Sequence, residues 1–251
     1  MKPAGADRAE SEDAMSRDLD LDRTLRPGLD ILANEIVISL KKRLRFPHNP
    51  EIYAPGLVAA RPDLSLLMYE LGQMERVHAE LGRYSYSDQE SFTDVSRTQL
   101  VIRRPAPPSP ICNVPTGLAD DVIGWYLGWI AGSCRPGSDS DAYGETVTAD
   151  VTALMNLLER ITLGKFVAEY KYKESPEMFR QTGGDQESIR GMITHPEREK
   201  QVLEMAERLA AHYEFDPALA RGVFAWLITA TVEVQIRYIR HRMTLDRAQG
   251  G

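Results

Sequence analysis

The stretch LLERITLGKFVAEYKYK, residues 157–173, decides the fold. Its apolar residues Leu157, Ile161, Phe166 and Ala168 recur at near-helical spacing, and no proline interrupts the run. Apolar residues that return every three to four positions form one face of a helix. The pattern therefore predicts a single buried helix across the whole stretch.

Two cations of this stretch, Arg160 and Lys171, share one face of the predicted helix. At about 100° per residue they return to within about 20° of each other, roughly 16 Å apart along the axis. Two cations directed into one core are costly unless an anion sits between them, and a small dianion would fit. On spacing alone, the commoner alternative is that both side chains reach water or pair with Glu159 and Glu169.

The segment ERITLGKFVAEYKYK closely resembles the most characteristic part of the all-helical chorismate mutases of the fungal and plant type. In that family a helix that carries Arg, then Gly-Lys-Phe-Val-Ala-Glu, then Lys grips the substrate. The segment LRPGLDILANEIVISLKKRLRFPHNPEIY, residues 25–53, resembles the family's first helix, where an Arg of the opening turn reaches the substrate. The resemblance implies an all-α, single-domain bundle of long helices, of chorismate mutase type II, over residues 25–245.

The net charge, the length of the apolar runs and the cysteine spacing restrict the possible partners and the cellular compartment. The net charge of −7 argues against nucleic acid as the main partner. No apolar run approaches the roughly 20 residues that span a bilayer, so we expect no membrane partner. The N-terminus lacks the apolar core of a signal peptide, and Cys112 and Cys134 have no metal-spaced partners, which favours the cytoplasm. Residues 1–24 are small and charged, which predicts a disordered leader.

Amphipathic spacing predicts five further helices. They cover residues 25–45, 63–81, 118–130, about 194–213 and 218–242. Residues 82–116 and 131–147 are predicted to be loops, and residues 174–191 to hold only a short helix. Asp63, Thr194 with Glu197, and Asp216 are predicted to cap the second helix and the last two helices.

The chemistry of the resembled family explains which residue types it needs. Chorismate rearranges to prephenate by a concerted shift in which one C–O bond breaks as one C–C bond forms. No proton has to move and no nucleophile is required. The enzyme holds a compact chair conformer and stabilises negative charge on the ether oxygen, which calls for fixed Arg, Lys and amide donors. The resemblance therefore implies chorismate as the ligand, with no metal and no cofactor.

Position by position, the resemblance implies the following roles. Arg26 and Arg160 would each bind a substrate carboxylate, because a guanidinium suits planar bidentate pairing. Lys171 would bridge a carboxylate and the ether oxygen, and Gln235 would donate its amide N–H to that oxygen. Thr231 would add a hydroxyl to a carboxylate.

The remaining positions include two departures from the fungal pattern. Glu199 would accept a hydrogen bond from the ring hydroxyl, with His195 nearby where the family usually has Asn or Asp. Arg198 resembles the small bacterial branch, but it could equally be a surface charge. Gln235 stands where fungal members carry Glu, and an amide donates at any pH. We therefore expect activity that is nearly flat from acidic to neutral pH.

Members of this family are often dimers that tryptophan activates and tyrosine inhibits, so the resemblance implies a homodimer. Their effector site lies between a loop with Gly-Ser and a pair of arginines. Here the loop contains Gly144, Glu145 and Thr148, and only Arg83 remains of the arginine pair. A glutamate in place of the serine would repel an amino-acid carboxylate. Effector binding at these four residues is therefore predicted to be weakened or lost.

Two alternatives to a mutase stay open from the sequence. A catalytically silent helical protein could bind a partner or an amino acid on the same scaffold, although a decayed site need not retain a complete set of pocket residues. A related pericyclic enzyme, an isochorismate pyruvate lyase, would use the same kinds of donor.

Overall fold

A computed structural model describes residues 25–104 and 108–249, and within them it contains nine α-helices and no strand. The predicted leader, residues 1–24, lies outside the described residues. The helices are α1 Arg26–Arg43, α2 Leu66–Glu80, α3 Ala119–Ser133, α4 Tyr143–Thr162, α5 Gly164–Glu174, α6 Pro176–Gln181, α7 Gln186–Ile193, α8 Pro196–His212 and α9 Pro217–Gln249. Short 3-10 helices cover Pro50–Tyr53, Arg83–Ser85 and Ser140–Ala142. The prediction of an all-α bundle is confirmed.

The helices enclose two clusters of buried apolar side chains. The larger cluster joins α1, α2, α3, α4 and α8 to the first half of α9, from Ala220 to Val234. The smaller cluster joins α5, α6 and α7 to the second half of α9, from Val232 to Met243. Helix α9 therefore belongs to both clusters, and the two meet along it at residues 232–234.

The predicted single helix over residues 157–173 is wrong in one respect, because the structure divides it. Helix α4 ends at Thr162 and α5 begins at Gly164. The amide of Phe166 bonds the carbonyl of Leu163 at 3.1 Å, which is the tighter spacing of a turn. A Cβ at Gly164 would lie 2.9 Å from Thr231 Cγ2, so glycine permits a close approach of α5 to α9. Glycine is also a poor helix former, which favours a break there.

Two predicted helix caps are wrong. Helix α2 is capped by Ser65, whose hydroxyl accepts the amide of Met68 at 3.1 Å, whereas Asp63 pairs with the neighbouring Arg61 instead. Helix α8 begins after His195 without a side-chain cap, so the capping box predicted from Thr194 does not form.

Other boundaries also shift. The predicted loop 131–147 is shorter, because α3 continues to Ser133 and α4 begins at Tyr143. The polar stretch 174–191 holds the two short helices α6 and α7 rather than one. The cap predicted for the last helix is confirmed, since Asp216 Oδ1 accepts the amide of Ala218 at 2.8 Å.

Among the described residues, one helix is long and apolar enough, by length and composition, to cross a membrane: residues Pro217–Ala248 of α9. This differs from the expectation that no apolar run approaches that length. Of its most apolar 18-residue window, 44% is buried inside the protein, and α9 packs against α4, α5, α7 and α8. That surrounding is typical of the core helix of a bundle.

Candidate active site

A cavity of about 300 Å³ opens where α1, α4, α5, α8 and α9 meet. Its size is at the lower end of the range for small-molecule sites. The structure brings all eight predicted catalytic and substrate-binding residues to its wall: Arg26, Arg160, Lys171, His195, Arg198, Glu199, Thr231 and Gln235. They come from five helices and from both ends of the chain.

Arg160 lies in the last turn of α4 and faces the cavity. Its Nε is buried and has no hydrogen-bond partner in the described part of the chain. Burial, together with the positive charge of Arg198, lowers the pKa of Arg160 to about 10, and the charge of Asp30 opposes the shift. A buried cation in this condition is stabilised by an anion, which an incoming carboxylate would supply.

The local ion pairs considered as an alternative are made by other residues. Glu159 pairs with Arg83 at 2.6 Å rather than with Arg160. Glu169 pairs with Lys173 at 3.4 Å, on the side of α5 away from the cavity, rather than with Lys171. Arg160 and Lys171 therefore keep their charge available to the cavity.

Lys171 and Gln235 contact each other across the cavity wall. Lys171 Nζ donates to the carbonyl of Ile193 at 2.7 Å and to Gln235 Oε1 at 3.3 Å. Burial lowers the pKa of Lys171 to about 8, and the charge of Glu199 opposes the shift. Among residues 25–104 and 108–249, the amide nitrogen of Gln235 has one hydrogen-bond partner, the carbonyl of Thr231, at a long distance of 3.4 Å. That N–H is therefore weakly held and can turn toward a better acceptor.

Thr231 lies one helical turn before Gln235 on α9. Its Oγ1 donates to the carbonyl of Leu227 at 2.7 Å. A ligand carboxylate would have to draw this hydrogen away from the helix backbone. Its methyl group, in turn, lies against Gly164, so the position of Thr231 depends on the close packing of α5 on α9.

The structure adds one charged residue that the sequence analysis missed. Asp30 lies one turn after Arg26 on α1 and lines the same cavity, where its charge acts on Arg160. The only sequence signal was the four-residue spacing from Arg26, which puts both on one helix face. With Asp30 included, the wall carries four Lys or Arg cations and two carboxylates, a formal charge of +2. This charge balances that of a dianion.

The rest of the wall is apolar. It consists of Leu25, Leu29, Val167, Ile193, Val202, Met205, Ile228 and Val232. Apolar walls keep the local dielectric low, which strengthens each charge interaction inside the cavity. In the described residues, no group of three or more His, Cys, Asp or Glu is arranged to hold a metal ion.

The four predicted effector residues do not come together within one chain. Gly144, Glu145 and Thr148 line a second cavity of about 680 Å³, and Thr148 Oγ1 donates to Glu70 at 2.8 Å. Arg83 is not part of that wall, because it is held by Glu159 and by Gln89 Oε1 at 2.9 Å.

Comparisons with known proteins agree on one family and one fold. The family model described as "Chorismate mutase type II" matches residues 143–236. A chorismate mutase of Emericella nidulans is 30% identical, over 91% of this chain and 94% of the relative. The "Chorismate mutase 2, cytosolic" of Zea mays is 25% identical over 87% and 94%, whereas other plant relatives are labelled chloroplastic. The fold matches a chorismate mutase of Candida albicans solved in complex with L-Trp, with a TM-score of 0.84, 24% identity and coverage of 90% and 92%.

Proposed function

The chain belongs to the chorismate mutase family, and we propose that the cavity described above is its active site, where chorismate rearranges to prephenate. The observation that carries this proposal is the convergence of Arg160, Lys171 and Gln235 on one cavity whose charge balances a dianion. The relatives are named chorismate mutases, which favours an isomerase over the silent binding protein and the pyruvate lyase.

The carboxylates of the substrate bind to the two arginines. Arg26 and Arg160 reach the cavity from α1 and α4, and each guanidinium can pair with a planar carboxylate through two N–H groups. Pairing satisfies the buried Nε of Arg160. Holding both carboxylates fixes the compact chair, which is a proximity effect.

The ether oxygen lies between Lys171 and Gln235. Lys171 Nζ already lies 3.3 Å from Gln235 Oε1, so the two side chains are held next to each other and only the Gln235 amide has to turn its N–H toward the oxygen. Lys171 supplies a full positive charge and Gln235 supplies an N–H that needs no protonation. Glu199 accepts from the ring hydroxyl, beside His195 and Arg198, and Thr231 contacts a carboxylate.

The test follows the loss of chorismate absorbance and identifies the product. Arg160→Ala should lower kcat/KM by a factor that corresponds to about 2–5 kcal/mol, because a buried carboxylate loses its partner. Arg221→Ala is the matched control, since Arg221 is an exposed residue of α9 that pairs with Glu207 at 3.0 Å. Unchanged activity in Arg160→Ala would refute the site, and pyruvate released from isochorismate in a parallel assay would favour the lyase.

We also propose that the chain forms one domain over residues 25–245 and assembles as a homodimer. Met74 and Val77 are 36% and 46% exposed on α2, next to an exposed Leu81. A contiguous apolar stripe of this kind marks an interaction surface. Sedimentation should give a dimer that Val77→Asp dissociates and that Met178→Asp, at an isolated exposed position of α6, leaves intact. A monomeric wild type would refute the dimer.

For regulation, we propose that amino-acid effectors bind weakly or not at all. Arg83 is occupied by Glu159, and Glu145 adds a negative charge to the cavity beside Gly144. Calorimetric titration with tryptophan and with tyrosine should give no heat of binding, and saturable heat with either would overturn this. We propose a cytoplasmic location, without a membrane partner, which the cytosolic label of the Zea mays relative supports.

A further inference from the structure

A second contact joins α5 to α9 outside the cavity. Tyr238 is fully buried, and its hydroxyl donates to Glu169 Oε2 at 2.7 Å. The same hydroxyl accepts the backbone amide of Cys112 at 3.0 Å. Glu169 is itself only 2% exposed.

The Glu169–Tyr238 contact lies next to Lys171 and Gln235, the two proposed donors to the ether oxygen, on both helices. Glu169 precedes Lys171 by two residues on α5, and Tyr238 follows Gln235 by three residues on α9. Residues two apart on a helix point about 200° away from each other. The Lys171–Gln235 contact and the Glu169–Tyr238 hydrogen bond therefore hold α5 against α9 on two sides.

The hydroxyl of Tyr238 stabilises the buried carboxylate of Glu169. The carboxylate is paired with Lys173 at 3.4 Å and with Arg242 Nε at 3.5 Å, both longer than a charge-assisted hydrogen bond. The hydroxyl of Tyr238 is a closer partner. A buried carboxylate that loses a hydrogen bond must find a replacement, and a movement of α5 along α9 toward Arg242 would supply one.

We propose that Tyr238 is a positioning residue, whose hydrogen bond to Glu169 sets the place of Lys171 relative to Gln235. This rests on the proposed function, in which those two donors flank the ether oxygen. Tyr238 does not line the cavity, so it acts on the site through the packing of α5 against α9. A displacement of about 1 Å in such donors can cost on the order of 100-fold in rate.

The experiment compares Tyr238→Phe with Tyr172→Phe. Tyr172 is a matched control, because it is 2% exposed on α5 and its hydroxyl also bonds a residue of α9, Asp246, at 2.7 Å. Tyr238→Phe should lower kcat by about 10- to 100-fold with little change in KM. Tyr172→Phe should keep kcat within about twofold of the wild-type value, because its bond lies toward the end of α9, away from Gln235. Equal kcat in the two variants would overturn the proposal.

Two further measurements separate positioning from a general loss of stability. Glu169→Gln keeps an acceptor for the Tyr238 hydroxyl and should retain more activity than Tyr238→Phe. In a Lys171→Met background, Tyr238→Phe should cause no further loss of kcat, whereas an additive loss would contradict action through Lys171.

A measurement that does not depend on catalysis tests the positioning role of Tyr238 separately from the proposed mutase function. An NMR titration of the Lys171 ammonium should give a higher pKa in Tyr238→Phe than in the wild type, because a less constrained side chain is better solvated. An unchanged pKa would overturn the positioning role. That result stands whether or not the protein consumes chorismate, and a wild type without mutase activity would refute the proposed function alone.

Discussion

Gln235 and Lys171 are neighbours in space that respond differently to pH. Gln235 is 6% exposed and carries no titrating proton, whereas Lys171 is partly desolvated and, in the proposed mechanism, must be charged. Each residue therefore affects a different part of the pH dependence of activity. The acidic half of the profile reports on Gln235 and the alkaline half on Lys171.

Replacing Gln235 by Glu tests the role of Gln235 in the acidic part of the pH dependence of kcat. A glutamate must be protonated to donate to the ether oxygen, and Lys171 at 3.3 Å would favour its ionised form. We expect the wild type to keep a nearly constant kcat from acidic to neutral pH, and Gln235→Glu to lose activity as pH rises through that range. Parallel profiles for the two proteins would show that Gln235 is not the donor.

The pKa of Lys171 tests the alkaline half. Burial lowers it to about 8, so the ammonium form dominates below that pH and is lost above it. Because kcat/KM reports ionisation of the free enzyme, it should be level below about pH 8 and then fall about tenfold per pH unit. A profile that stays level to pH 10 would contradict the assignment of Lys171.

At the scale of elements, the close contact of α5 with α9 depends on Gly164. A Cβ there would lie 2.9 Å from Thr231 Cγ2 and 3.3 Å from the carbonyl oxygen of Thr231. Thr231 cannot easily turn away, because its hydroxyl is bonded to Leu227. The two helices would have to separate, and this would move Lys171 away from Gln235.

Gly164→Ala should therefore lower both the free energy of unfolding, by about 1–3 kcal/mol, and kcat. The control is Gly124→Ala on α3, where nothing lies within 4 Å of the new Cβ. Alanine is the better helix former, so this control should gain about 0.5–1 kcal/mol in stability and keep its activity. Denaturant unfolding and the chorismate assay measure both effects. A stabilised, fully active Gly164→Ala would contradict the close-packing argument.

The elements also show where sequence reasoning succeeds and where it fails. Long amphipathic runs predicted the existence of α1, α2, α3, α8 and α9, because their periodicity reports burial directly. The break at Leu163 was missed, since one glycine inside a periodic run is compatible with an unbroken helix. The cap of α2 was missed as well, because Ser65 and Asp63 are both good caps and only the fold decides between them.

For the whole molecule, the cavity lies where the two apolar clusters meet along α9. Arg160 sits on α4 in the larger cluster, Lys171 sits on α5 beside the smaller one, and Gln235 sits between them. The resemblance brought these residues together from distant parts of the sequence. Asp30 was not found in this way, because a carboxylate one turn after an arginine is most simply a helix-surface pair. Only the packed helices reveal that it faces Arg160.

In the proposed mechanism, fixed cations and an amide recognise a folded dianion. Calorimetric titration with a stable bicyclic ether dicarboxylate, a mimic of the chair transition state, tests this most directly. The wild type should bind one molecule per chain, and Arg160→Ala should lose about 2–5 kcal/mol of binding free energy. Equal affinity in the wild type and in Arg160→Ala would contradict the account.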